Sequence, residues 1–239
     1  MTVVRSLATV IIATAIAVAT TAGAHAWVLP AIGGDQVKGA PWMKHAEIDF
    51  DGTKIAVHVD DTVATPLLRP LSPPNEFDPS EPWAPLIGTA HNFQYGWVLG
   101  SAWAPPHGLG VFVEQLAASP GLETYEGGRF MNETVIRRMT FDPLFPSGEA
   151  WQWSGVMTHN AYAVRRPTES VYSATYRVFL ADAATGVEPT DAGGNPVYGS
   201  DRAVFTWAAT PVPEPAGATT GAWAFAALIR GRRSKEGRR

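Results

Sequence analysis

The chain contains no cysteine. That removes disulfide scaffolds, thiolate zinc sites, iron–sulfur clusters and cysteine nucleophiles at once. Charge is also scarce, at 17% of 239 residues, while 46% are hydrophobic, and that balance excludes a solvated disordered tail. Between its two ends the sequence has no repeat of fixed period, no coiled-coil heptads and no long apolar run. Catalytic signatures are missing too: there is no G-x-S-x-G, no H-E-x-x-H, no phosphate-binding glycine loop and no dinucleotide fingerprint. The chain is therefore not expected to be an enzyme. What it does have is 23 Gly, 20 Pro and 9 Trp, too many helix breakers for a helical bundle.

The ends read as addresses. Arg5, an apolar stretch over 7–18 and then Ala24-His25-Ala26 follow the order of a secretory signal peptide, with the mature chain expected to start at Trp27. At the other end Val212-Pro213-Glu214-Pro215 precedes an apolar segment, 216–229, and a basic cluster with Arg230, Arg232 and Arg233. This three-part order, from Pro211 onward, resembles the PEP-CTERM sorting signal of Gram-negative bacteria. The resemblance implies export, transient association with the inner membrane through the tail, and recognition by export machinery and an exosortase-like processing enzyme. Delivery would be to the cell surface or extracellular matrix. The apolar segment would span about 21 Å as a helix, less than a hydrocarbon core of about 30 Å, while arginine beyond it fits retention on the cytoplasmic side.

Between these addresses the chain is acidic. Residues 27–215 carry eleven basic and twenty-one acidic side chains, a formal net charge of −10 against −4 for the whole sequence. Such a surface repels phosphate backbones, so nucleic acid is not an expected partner.

The mature part shows short alternating stretches separated by Gly, Pro and Asp clusters, the pattern of a single antiparallel β-sandwich with long loops over 27–210. Strands are expected over 109–116, 151–157, 173–181 and 203–208, with Tyr176, Val178 and Leu180 on a buried face and Arg177 opposite. Two helical turns are expected over 132–139 before Asp142-Pro143. The proline-rich 65–85 and the glycine-containing 185–200 read as surface linkers.

The clearest hairpin is His45 to Asp61. Ala46, Ile48 and Phe50 alternate with His45, Glu47 and Asp49, and Asp51-Gly52 suits a two-residue type I′ turn. That turn pairs Phe50 with Thr53, Ile48 with Ile55 and Ala46 with Val57, and it places His45 opposite His58. Two imidazoles facing each other, with Glu47 and Asp60 as same-face neighbours, form a nitrogen and oxygen ligand set. The alternative is an ordinary solvated face in which His and carboxylate exchange hydrogen bonds.

The hairpin, with His58-Val59-Asp60-Asp61 closing it, resembles the opening of bacterial surface-anchored proteins of the actinobacterial cell-wall repeat type and their PEP-CTERM relatives. Val111-Phe112-Val113-Glu114-Gln115-Leu116 with Pro120-Gly121-Leu122, and Thr158-His159-Asn160-Ala161-Tyr162 before Ala174-Thr175-Tyr176-Arg177-Val178, are similar to two further stretches of that family. The resemblance implies a displayed β-sandwich whose His clusters bind a metal such as Zn²⁺. Carried over, the ligand candidates are His45, His58, Asp60 and His159. His91 and His107 are left outside the set as single loop histidines.

Two other readings remain open at this level. Trp97, Trp103, Trp151 and Trp153 could stack on sugar rings, making the protein a polysaccharide-binding or adhesion module, although the two-residue spacing of Trp151 and Trp153 suits packing on one strand face. A purely structural matrix component is the third.

Overall fold

The computed structural model describes residues 26–34, 43–127, 141–146 and 148–212. The expected signal peptide up to residue 25, the expected helical turns at 132–139 and the sorting residues from Pro213 lie outside the described residues. Within them the regular elements are strands, apart from one 3-10 turn at Ala84–Leu86. The all-β class is therefore met. In chain order the strands are β1 (Ala26–Trp27), β2 (Lys44–Phe50), β3 (Ile55–Val59), β4 (Leu67–Leu68), β5 (Asn75–Glu76), β6 (Ala90–Asn92) and β7 (Tyr95–Leu99). They continue as β8 (Leu109–Ala118), β9 (Leu122–Tyr125), β10 (Pro143–Leu144), β11 (Trp151–Trp153), β12 (Thr158–His159), β13 (Ala161–Val164), β14 (Val171–Asp182) and β15 (Asp201–Ala209).

Their layout departs from one antiparallel sandwich. Sheets ordered β12-β7-β2-β3, β11-β8-β14-β15-β4 and β10-β9-β13-β6 are accompanied by a β1-β5 ribbon. The β2–β7, β4–β15 and β1–β5 pairs are parallel. The second and third sheets meet where the Arg69 and His91 backbones exchange hydrogen bonds, joining β4 to β6.

Strand β14 shows how sequence dictates this architecture. Tyr172, Ala174, Tyr176, Val178 and Leu180 alternate into the core, as a half-buried strand requires. On the opposite face the Arg177 guanidinium lies 4.5 Å from the Phe179 ring centre and 2.6 Å from Glu188. Against β14 pack Tyr95, Trp97, Tyr162, Phe205 and Trp207, with Tyr95 and Phe205 stacked at 4.1 Å between ring centres. This core draws side chains from all three large sheets.

A second core lies on the other face of β9 and β13. It contains Phe77, Trp83, Leu86, Phe93, Tyr125, Phe141, Ala161 and Ala163. The proline-rich 65–85 segment, expected as a surface linker, supplies Phe77 and Trp83 to this core and Leu68 to the first, each 1% exposed. It is a cover for the third sheet. Residues 185–200 do stay largely at the surface.

Strand β3 ends its sheet, yet two of its outward N–H groups are occupied. Ile55 N–H donates to Gly199 O at 2.9 Å and Val57 N–H donates to the Asp201 carboxylate at 2.8 Å.

Candidate metal centre

The expected hairpin forms, but in a different register. Phe50 pairs with Ile55, Ile48 with Val57 and Glu47 with His58. The cause is the loop chemistry at Asp51. Its carboxylate accepts from Thr53 N–H at 2.8 Å, Thr53 Oγ1 at 2.6 Å and Lys54 N–H at 2.9 Å, which holds a four-residue connection in place of a two-residue turn. Only Gly52 of the Asp51-Gly52 pair takes a positive φ, whereas type I′ needs both. His45 consequently lies across from Asp60, whose N–H donates to His45 O at 2.9 Å.

The expected facing of His45 and His58 is corrected by this register. His58 is exposed and opposite Glu47. Asp60 is turned to its own loop, where its Oδ1 accepts from Thr62 N–H at 2.8 Å and Thr62 Oγ1 at 2.6 Å; chiefly these bonds hold its carboxyl below the usual range.

What the fold brings together is His45 and His159. Strand β7 lies between β2 and β12, and its Gly96 is the register partner of both His45 and His159. Neighbouring strands are about 4.8 Å apart, so the two histidines stand about two spacings from each other along the sheet. Their ring centres are nonetheless 5.6 Å apart, inclined at 57°. The missing side chain of Gly96 makes this approach fit. A Cβ there would sit 2.6, 2.7 and 2.8 Å from His159 Cε1, Nε2 and Nδ1, inside the space the imidazole fills.

The second imidazole is fixed electronically as well as sterically. His159 is fully buried and its Nδ1 lies 3.0 Å from Phe93 O. A carbonyl can only accept, so Nδ1 carries the proton and Nε2 presents a lone pair. Burial, reinforced by the neighbouring His45, lowers the His159 pKa to about 4, with the carbonyls of Phe93, Gln94 and Tyr95 opposing it. The ring is neutral at ordinary pH. Both His159 Nε2 and His45 Nε2 are buried without a hydrogen-bond partner among the described residues. Leaving a buried polar atom unpaired costs about 1–3 kcal/mol, so two adjacent orphans need an explanation.

The geometry suits one. A metal–nitrogen bond of about 2.0 Å places an ion about 3.2 Å from a ring centre, and two rings at a tetrahedral angle then have centres about 5.2 Å apart. The observed 5.6 Å is close to that value. Among the described residues no group of three or more His, Cys, Asp or Glu side chains gathers, so the pair stands without a third ligand of those types.

The remaining candidates are dispersed. His91 is buried between Phe77 and Phe93 in the second core, and His107 is exposed. Trp97 and Trp153 are 1% and 2% exposed, with indole N–H groups donating to Asn160 Oδ1 and Val156 O; Trp103 donates to Ile48 O. These three indoles serve packing, and Trp151 is half-buried beside the same core. An apolar cleft of about 460 Å³ lies elsewhere, between the Pro70–Phe77 stretch and Leu86 to His91.

Sequence reasoning missed Gly96. Glycine inside an otherwise apolar strand, Tyr95-Gly96-Trp97, is a signal of close approach by another group. Comparison of the chain with protein-family models, curated proteins and solved structures finds no match.

Proposed function

We propose that this is an exported all-β protein, displayed at the cell surface or in the extracellular matrix, that holds a transition-metal ion between His45 and His159. The observation that carries the metal reading is the pair of buried, unpartnered Nε2 atoms on rings that meet over Gly96. The export reading is supported by the order of the ends: a charged, apolar and Ala24-His25-Ala26 start, and Val212-Pro213-Glu214-Pro215 followed by an apolar segment and arginines. Processing would pass through export machinery and an exosortase-like enzyme, and the β-sandwich-like body would be the displayed part. With Trp97, Trp103 and Trp153 used in packing, a sugar platform built on them has less to recommend it.

Metal-free mature protein titrated with Zn²⁺ in a calorimeter is expected to take up one ion. His45→Ala and His159→Ala should abolish uptake, while His58→Ala should leave it intact. Gly96→Ala should act like the ligand mutants, since its Cβ evicts the His159 ring, and overpacking of this kind should also lower stability by about 1–3 kcal/mol. Uptake unchanged in His45→Ala and His159→Ala would remove the pair as a metal site.

Export has its own check. Mass spectrometry of the extracellular fraction should show a chain beginning at Trp27. Such cleavage removes the Ala26 N–H bond to Pro74 O but keeps the Val28 N–H bond to Glu76 O, so the new terminus stays tied to β5. Material retaining Met1, or confined to the cytoplasm, would overturn the export reading.

A further inference from the structure

We infer that the ion preferred at this centre is a soft monovalent one, Cu(I), and that Met43 completes its ligand set. The inference rests on the His45–His159 reading above and concerns which metal those two imidazoles select.

The first observation is ligand number. A structural zinc site is almost always four-coordinate, with ligands from Cys, His, Asp or Glu. Here two imidazoles meet, and no third side chain of those types joins them among the described residues. Cuprous copper is satisfied by two or three ligands.

Charge points the same way. Imidazoles bring no negative charge to the site, and the Asp60 carboxylate is occupied by Thr62 in its exposed loop. The cost of taking an ion out of water rises with the square of its charge, so a half-buried site with no carboxylate ligand favours a monovalent ion over a divalent one.

The third observation is a thioether. Met43 is two residues before His45 and faces the turn containing Gly33. A Cβ placed on Gly33 would be 3.0 Å from Met43 Sδ and 3.8 Å from His159 Cε1. Sulfur and imidazole therefore border the same small space. Gly33 has φ +77° and leaves that space open on one side, as Gly96 does on the other. Met43 is 38% exposed, and its Sδ already lies on the Gly33 side of that space. Thioether sulfur is a soft donor that selects Cu(I) over Zn²⁺.

The test uses the mature protein under anaerobic, reducing conditions, with Cu(I) titrated against a chromogenic copper(I) chelator and Zn²⁺ titrated separately. Wild type should hold Cu(I) more tightly than Zn²⁺. Met43→Leu should weaken Cu(I) retention by about tenfold or more while moving Zn²⁺ affinity by less than about twofold. X-ray absorption of the copper form should show a sulfur scatterer in wild type that is absent in Met43→Leu. Circular dichroism of the variant, whose site is partly exposed, checks that it folds. Equal Cu(I) retention in both proteins, a spectrum without sulfur, or Zn²⁺ bound more tightly than Cu(I) would overturn this inference and leave the histidine pair standing. Failure of wild type to take up either ion would overturn the pair as well.

Discussion

Lowering the pH of the metal-free protein from 7 to 5 is expected to remove about 4 kcal/mol of folding stability, through two histidines that the fold keeps neutral. His91 is buried between Phe77 and Phe93, and burial lowers its pKa from 6.5 to about 4, the Thr89 carbonyl opposing only in part. His159 is lowered to about 4 by burial first and His45 second. In the unfolded chain both titrate near 6.5. Between those values the unfolded state binds protons that the folded state refuses, so stability falls as pH falls. Above about pH 7 both states are neutral and the effect vanishes. At pH 5 each histidine contributes about 2 kcal/mol of loss, against a total stability of about 5–15 kcal/mol for a typical domain. Urea denaturation at the two pH values measures the difference. His91→Leu, similar in volume and unable to titrate, should recover about half of it. Equal midpoints at pH 7 and 5, or a Leu variant as acid-sensitive as wild type, would show that these rings are not held neutral.

Truncating Trp207 to alanine should destabilise the protein by about 3–5 kcal/mol, the usual cost of deleting a core indole. Trp207 is fully buried, with Tyr162 at 4.6 Å and Tyr95 at 5.1 Å between ring centres. Its indole N–H has no hydrogen-bond partner among the described residues. Trp207→Phe should therefore be tolerated far better than Trp207→Ala, because no hydrogen bond is lost with the smaller ring. Trp97 offers the contrast. Its N–H donates to buried Asn160 Oδ1 at 3.0 Å, so Trp97→Phe leaves an acceptor unsatisfied and adds about 1–3 kcal/mol to any packing cost. Thermal or urea unfolding of the three variants should rank Trp207→Phe as the mildest. A Trp97→Phe variant as stable as Trp207→Phe would show that the Asn160 contact contributes nothing.

Local periodicity carried the all-β class and the strands that alternate strongly. The alternation of Tyr176, Val178 and Leu180 against Arg177 is visible in sequence because a pleated strand repeats every two residues. The hairpin around Asp51-Gly52 was legible as a hairpin but not in its register, since the Asp51 carboxylate binds the next backbone turn in a way that its dipeptide signature does not reveal. Long-range pairing was less accessible still. His45 and His159 meet because β2 runs parallel to β7 and β12 antiparallel to it, two pairings that span 51 and 63 residues of chain. His159 entered the candidate set through resemblance, and nothing in local spacing joined it to His45 in preference to His58. Prolines misled in the 65–85 segment, where the buried Leu68, Phe77 and Trp83 are spaced too irregularly for either helix or strand.

The bond from Val57 N–H to Asp201 bears on how copies of this protein behave together. A terminal strand with free backbone donors is a template on which another chain can lengthen the sheet, and repetition of that step produces fibres. On β3 the Val57 donor is already taken by a carboxylate and the Ile55 donor by the Gly199 carbonyl. An incoming strand would have to displace a charged side chain and bring its own carbonyl close to a negative oxygen. Asp201 and Gly199 thus close this stretch of the β3 edge to strand addition.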